Sequence, residues 1–287
     1  MSRGYLVIAQ NSGELDYLRQ AYGLALSIKL TQSAEHNISV CVDEVTEQHV
    51  THKHRKIFDH IIKIPWTDHA RNHSWKIQNK WKYLHMTPYD ETVVLDTDMV
   101  FPGDVSNWWD ILGQKDFWVT TRVKTYRNDV VTSDYYRKVF TANKLPNIYT
   151  AFWYFKKSEI TYQIFELAQF IFNNWEKMFW EQLTDHRPDH LSGDVAFALA
   201  IKLLDMEHLT TCVNTDMPTF VHMKSHIQNI DSKNISDNWY EWLPTYWQSI
   251  TNFKIGNFQQ TLPFHYQAKE WLTDDMIHDM EMQHGRY

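Results

Sequence analysis

Val93-Val94-Leu95-Asp96-Thr97-Asp98-Met99-Val100-Phe101-Pro102-Gly103 decides the fold: three apolar β-formers run into two carboxylates one residue apart, and the chain then turns apolar again. Such a run ahead of acids reads as a buried strand. In open α/β sheets, ligands bind in the crevice beyond the carboxyl ends of the strands, which is where Asp96 and Asp98 would stand. Side chains of an extended segment alternate in direction, so both acids are expected to face the same way and meet one object. Two anions held close repel unless a cation neutralises them, and a hard divalent ion with oxygen ligands does so most simply. A capped strand end with two solvated acids fits the spacing equally well.

The pattern extends in both directions. Gly4 to Ala9 is a short apolar run that stops at the turn residues Gln10-Asn11-Ser12-Gly13, and Leu15, Leu18, Tyr22, Ala25 and Ile28 then fall on one helical stripe. Ile38 to Asp43 and His60 to Pro65 read as strands, and Trp75 to His85 as a helix with Ile77, Trp81 and Leu84 on one face. Thr87-Pro88 breaks that helix before the acid-bearing strand. Strand–helix alternation predicts an α/β sandwich with a largely parallel central sheet. Farther on, Phe117 to Arg122 and Thr150 to Phe155 read as strands, Ile160 to Leu183 and Gly193 to Leu204 as helices, and Thr219 to Met223 as a last core strand. Gly256-Asn257 between aromatic runs predicts a short hairpin. No linker, repeat or low-complexity segment interrupts the chain. The expectation is a single catalytic domain over 1–287, with its core in about 4–225 and a C-terminal hairpin elaboration in about 226–287.

Composition narrows the classes. Apolar residues at 43% and charged residues at 22% match ordinary globular usage and exclude a disordered or fibrous chain. A net charge of −7 argues against a nucleic-acid partner, and the basic stretch His52-Lys53-His54-Arg55-Lys56 reads as a solvated face. No apolar run reaches the roughly 20 residues of a membrane span, since Lys202 interrupts even Ala196 to Leu204. Cys41 and Cys212 are too few and too far apart for a disulfide framework or a zinc site, and without a signal-peptide pattern the expected location is cytoplasmic. Trp108-Trp109 and Trp75 offer flat faces of the kind that stack on a nucleotide or a sugar, with core packing as the first reading of each.

Phosphotransferases of the haloacid-dehalogenase type also place D-x-D after an apolar strand, but near the chain start and followed by Gly-Thr. Here Met99-Val100 follows, and no acid stands four residues after Asp194. Sugar-phosphate nucleotidyltransferases carry a Gly-rich loop after the first strand, where this chain has only Gly13.

Taken in chain order, LVIAQNSGELDY (6–17), TPYDETVVLDTDMVFPGDVSNWWDIL (87–112), NIYTAFWYFKKS (147–158), SGDVAFALAI (192–201) and TFVHMK (219–224) resemble nucleotide-sugar glycosyltransferases of the GT-A fold, nearest to the glycogenin-like family 8. The resemblance implies that Asp96 and Asp98, around Thr97, hold Mn²⁺ or Mg²⁺ against the two phosphates of a UDP-sugar. It places Ala9, Gln10 and Asn11 near base and ribose. A hexose would pass, with retention, to an acceptor that is a sugar, a protein or a small molecule.

The family's third metal ligand is a histidine. His222 in FVHMK comes first, with Lys224 able to meet a phosphate. His265 in PFHYQAKEW is the second candidate, with Lys269 and Trp271 after it where the family has H-x-x-G-x-x-K-P-W. Lys76 and Lys80 would reach the phosphates from ahead of the acid strand. Asp194 either faces the reacting carbon or acceptor hydroxyl or caps a helix start. Thr150-Ala151 stands where the family has Asn-Ser/Ala-Gly, so the competing function is a glycosyltransferase-like binding protein with a degraded pocket.

Overall fold

The computed structural model describes residues 1–13, 15–73, 76–210, 217–228 and 236–285. Its strands are β1 (Arg3–Ala9), β2 (Ile38–Val42), β3 (His60–Lys63), β4 (Glu91–Leu95), β5 (Met99–Val100), β6 (Phe117–Thr120), β7 (Tyr149–Lys156), β8 (Val221–His222), β9 (Thr245–Ser249), β10 (Asn252–Ile255), β11 (Phe258–Gln259) and β12 (Phe264–His265). The central sheet has the order β3-β2-β1-β4-β7-β6. The first four of these pair in parallel, and β7 runs against both its neighbours. The expected α/β class, a mostly parallel sheet flanked by helices, is the architecture observed.

The reason lies in the apolar runs. β2 and β4 are buried along their whole length, as strands covered on both faces must be. Alternation sorts their side chains: Val93 and Leu95 join one core with helix Tyr17–Thr31, while Val94 joins the other with helices Glu159–Asn173 and Gly193–Leu203. Asp16 starts the first helix by accepting the Arg19 N–H at 2.9 Å. Gly23 within it leaves room for the C-terminal segment, because a Cβ there would lie 2.6 Å from Leu272 Cδ2.

Two helix readings change. The expected helix from Trp75 to His85 is a 3₁₀ turn, Lys80–Lys82, followed by one α-turn, Tyr83–Met86; Trp75 itself lies outside the described residues. Side-chain ties replace helical bonds there. Lys76 Nζ donates to Ala70 O, Lys82 Nζ to Pro65 O and Thr67 O, and Asn79 Nδ2 to Asp68 Oδ1. The apolar spacing still marks the inward side, where Trp81 and Leu84 are buried. The run from Ile160 to Leu183 is broken at Asn174, which ends Glu159–Asn173 and begins Trp175–Gln182. Its side chain bonds back to Phe170 O at 2.9 Å.

The expected hairpin around Gly256-Asn257 exists as β10 and β11, with β9 added on the other edge of β10. Beyond it the chain returns to the core. β12 inserts between β5 and β8, antiparallel to the first and parallel to the second. Trp109 is core, its indole donating to Tyr5 Oη at 3.2 Å, and Trp108 packs on Phe152. Cys41 is buried in β2, and Cys212 lies outside the described residues. Among the described residues no helix is long and apolar enough to cross a membrane.

Candidate active site

The strand order changes direction between β1 and β4, which makes the crevice beyond their carboxyl ends the natural ligand position. Gln10 follows β1 there and Asp96 follows β4. Asp96 is tied to β7 by its N–H, which donates to Ala151 O at 3.0 Å. The chain then bends at Thr97 and Asp98 instead of running straight, as the alternation argument required. The acids nevertheless converge: one oxygen of Asp96, one of Asp98 and a nitrogen of His265 all lie within 4.8 Å of one another.

The small sheet is what brings His265 there. Its register sets His265 opposite Met99 on β5 and beside His222 on β8, and the Tyr266 N–H donates to Asp98 O at 3.1 Å. In-register neighbours on adjacent strands stand about 4.8 Å apart. The two imidazoles accordingly stack, with ring centroids 4.8 Å apart and 25° between planes. His265 Nε2 lies 3.0 Å from Asp98 Oδ2, whereas His222 sits behind it, outside the cluster.

Each acid also meets a lysine. Lys80 Nζ donates to Asp96 Oδ1 at 2.8 Å, and Lys269 Nζ donates to Asp98 Oδ2. Burial disfavours the charged form of Asp98, but His265 and Lys269 outweigh it and hold its carboxyl far below the usual carboxylate range. Burial likewise works against Lys80 and Lys269, and Asp96 and Asp98 respectively raise them above an ordinary lysine. His222 is pushed well below the ordinary imidazole value by burial, then by His265 and Lys224, so it is neutral. Among the described residues, Asp96 Oδ2 and Asp98 Oδ1 carry no hydrogen bond, and the buried Nδ1 atoms of His222 and His265 have no partner. Two carboxylates with open oxygens and an imidazole form a donor set that fits a divalent cation.

Asp194 lies across the crevice at the start of helix Gly193–Leu203, where Ser192, not Asp194, caps the helix. Asp194 Oδ1 accepts from Thr150 N and Oγ1 at 2.9 and 2.7 Å, and Oδ2 accepts from Arg137 Nη1 at 2.7 Å. Burial raises its carboxyl, but Arg137 and Thr150 bring it below the usual range. Arg137 is fixed in turn by Asn147 Oδ1 and Ile148 O and lies over the rings of Phe140 and Tyr149. No motif in the sequence marks Arg137.

Three cavities meet along this crevice. One of about 570 Å³ is lined by Asn11, Asp43, Arg71 and Lys76. Another, about 200 Å³, is lined by Gln10, Lys76, Lys80, Thr97, Asp98 and Lys269, and the largest, about 620 Å³, by Asp194, Tyr136, His222 and Lys224. Asp96, Lys80 and His265 border the last two together. Ala9 is wholly buried in β1. Gln10 is held in a polar network that sequence reading missed, donating to Asp43 and Asp68 and accepting from Asn79 at 2.8 Å. Asn11 accepts from Leu18 N at 3.0 Å, fixing the loop at the helix entrance.

No protein-family model and no curated protein matches the chain. Among solved structures it is similar to the galactosyltransferase LgtC in complex with donor and acceptor sugar analogues. That match has a TM-score of 0.52 and 14% identity, over 99% of this chain and 95% of that one. An active-site Gln-to-Glu mutant of LgtC aligns over the same shares with a TM-score of 0.51 and 12% identity. The chain therefore has the fold of GT-A glycosyltransferases, and the architecture agrees with the resemblance carried by its motif order.

Proposed function

We propose that the chain is a metal-dependent glycosyltransferase that moves a hexose from a UDP-sugar to an acceptor with retention at the anomeric carbon. The observation that carries this reading is the convergence of Asp96, Asp98 and His265 at the strand-order switch, where two cavities share a wall. The likeness in fold to a galactosyltransferase that binds donor and acceptor sugar analogues supports it. The reading takes 1–287 as one catalytic unit, since His265 and Lys269 close the site that Asp96 and Asp98 open.

We assign the nucleoside to the cavity of Asn11 and Asp43, with Ala9 and Gln10 as its backing, and the diphosphate to the cavity of Thr97, Lys80 and Lys269. Lys76, which borders both, stands between ribose and phosphate. Mn²⁺, or Mg²⁺, held by Asp96, Asp98 and His265 would neutralise charge developing on the departing nucleoside diphosphate. Lys80 and Lys269 supply ammonium groups beside the same oxygens, so the chain itself adds positive charge where the leaving group departs. Asp194 faces the hexose side. Held ionised by Arg137 and Thr150, it fixes the wall on which the sugar would rest and is poorly poised as a general base, whose ideal pKa lies near the working pH. That favours retention, which needs no strong base.

Incubation with Mn²⁺ and a panel of UDP- and GDP-sugars, with nucleoside diphosphate release followed for the wild type and Asp98→Ala, tests the proposal. Metal-dependent release that the variant loses is the expected result. Tight nucleotide binding without turnover would favour the binding-protein reading, and no binding would sink both. NMR of the product anomer decides between retention and inversion.

A further inference from the structure

The largest cavity is unevenly charged. Its acids are already matched, Asp96 by Lys80 and Asp194 by Arg137. Lys224 on the same wall is not. Among the described residues its Nζ makes no ion pair and no hydrogen bond, and its close contact is the Tyr136 ring, 4.4 Å away at the centroid. Asp194 and Asp237 attract it from beyond ion-pair distance and Arg137 repels it. A largely buried ammonium without a counter-ion is costly, and such a group is kept where a ligand completes it.

Position rules out the diphosphate as that ligand. Lys80 and Lys269 are ion-paired with Asp96 and Asp98, whereas Lys224 pairs with neither and is attracted by Asp194 and Asp237. It borders the large cavity and not the smaller one that holds Lys269. Beside it is an aromatic platform open to solvent: Tyr135, 59% exposed, stacks on His226 with centroids 4.8 Å apart and 22° between planes, and Tyr136 meets both rings edge-on. A flat apolar face next to an unpaired cation suits a sugar ring that carries an oxyanion.

Resting on the glycosyltransferase reading above, we propose that the acceptor is an anionic saccharide, a sugar bearing a phosphate or carboxylate group. Its oxyanion pairs with Lys224 and its ring lies against Tyr135, the exposed ring of the platform. A neutral sugar would leave the ammonium unpaired, and sites built around a buried charged partner discriminate strongly against ligands that lack it. Lys224 thereby sets acceptor specificity and does not hold donor phosphate.

The test keeps the donor side filled with UDP and Mn²⁺ and titrates the full chain with glucose, galactose, their 6-phosphates and their uronic acids. Binding is read by calorimetry for the wild type, Lys224→Gln and Lys224→Arg. The wild type should bind a sugar phosphate or a uronic acid at least about tenfold more tightly than the parent sugar, and which anion wins identifies the group. Lys224→Gln should erase the preference and Lys224→Arg keep most of it. Equal binding of neutral sugars, no sugar binding at all, or a preference that survives in Lys224→Gln would each overturn the proposal. So would a preference for UDP-glucuronate over UDP-glucose as donor that Lys224→Gln abolishes, since that places the oxyanion on the donor. Turnover with neutral acceptors alone defeats this inference and leaves the glycosyltransferase reading intact; failure to bind UDP defeats both.

Discussion

The crevice holds two groups of acids that look alike and differ in what they leave open. At Asp96 and Asp98, each carboxylate meets a lysine through one oxygen and keeps the other free of hydrogen bonds. At Asp194 both oxygens are engaged, by Thr150 twice and by Arg137, and Arg137 is itself bound to Asn147 and Ile148 between two aromatic rings. The first arrangement has unused valence, as a ligand site requires. In the second neither oxygen is free, as suits a fixed strut. Charge pairing alone therefore does not distinguish a binding acid from a positioning one, while the accounting of each oxygen does.

The contrast can be broken by mutation. The largest effect is expected at Asp194: Asp194→Ala leaves the Arg137 charge without a counter-ion, with only its bonds to Asn147 and Ile148, and should lower stability by about 3–5 kcal/mol, read from urea midpoints. A loss below about 1 kcal/mol would show that the bonds to Asn147 and Ile148 suffice for Arg137 and that Asp194 is not a strut. Next, Asp98→Ala should cut metal-dependent nucleoside diphosphate release by on the order of 10² to 10³-fold, and EDTA should do the same to the wild type.

Smaller again, His265→Ala should raise the Mn²⁺ concentration for half-maximal release by about 10–100-fold, the range for weakened metal sites. His222→Ala should change it by less than about threefold. A reversal of that order would make His222 the third ligand. The smallest effect is a pH dependence. The carboxyl of Asp194 is depressed in the folded protein, so its stabilisation is complete above the unfolded value near about 4 and fades as pH falls through the lower folded value. The stability gap between wild type and Asp194→Asn should therefore hold from about pH 7 to 5 and narrow below about pH 4; a gap that widens in acid contradicts the sign.

Asp96 and Asp98 are legible in the sequence because the strand that positions them is the run directly before them. Lys80 is legible for a related reason, lying just ahead of that strand, although the helix expected to carry it is only a 3₁₀ turn. Arg137 gives no signal, since its partners Asn147, Ile148 and Asp194 come together only across the sheet's carboxyl edge. The network of Gln10, Asp43, Asp68 and Asn79 leaves a faint one, polar residues clustered just after strands β1, β2 and β3.

Local periodicity was enough to determine the α/β class, the central-sheet strands in chain order and the acids at the end of β4, because burial patterns and strand ends are written in neighbouring residues. Which of His222 and His265 stands beside Asp96 and Asp98 belonged to tertiary structure. Both histidines occupy matching positions on adjacent strands, and what separates them is that β12 slides between β5 and β8 and so puts His265 next to Asp98. Pairing between segments more than 160 residues apart depends on the register of the whole fold, which no local pattern encodes.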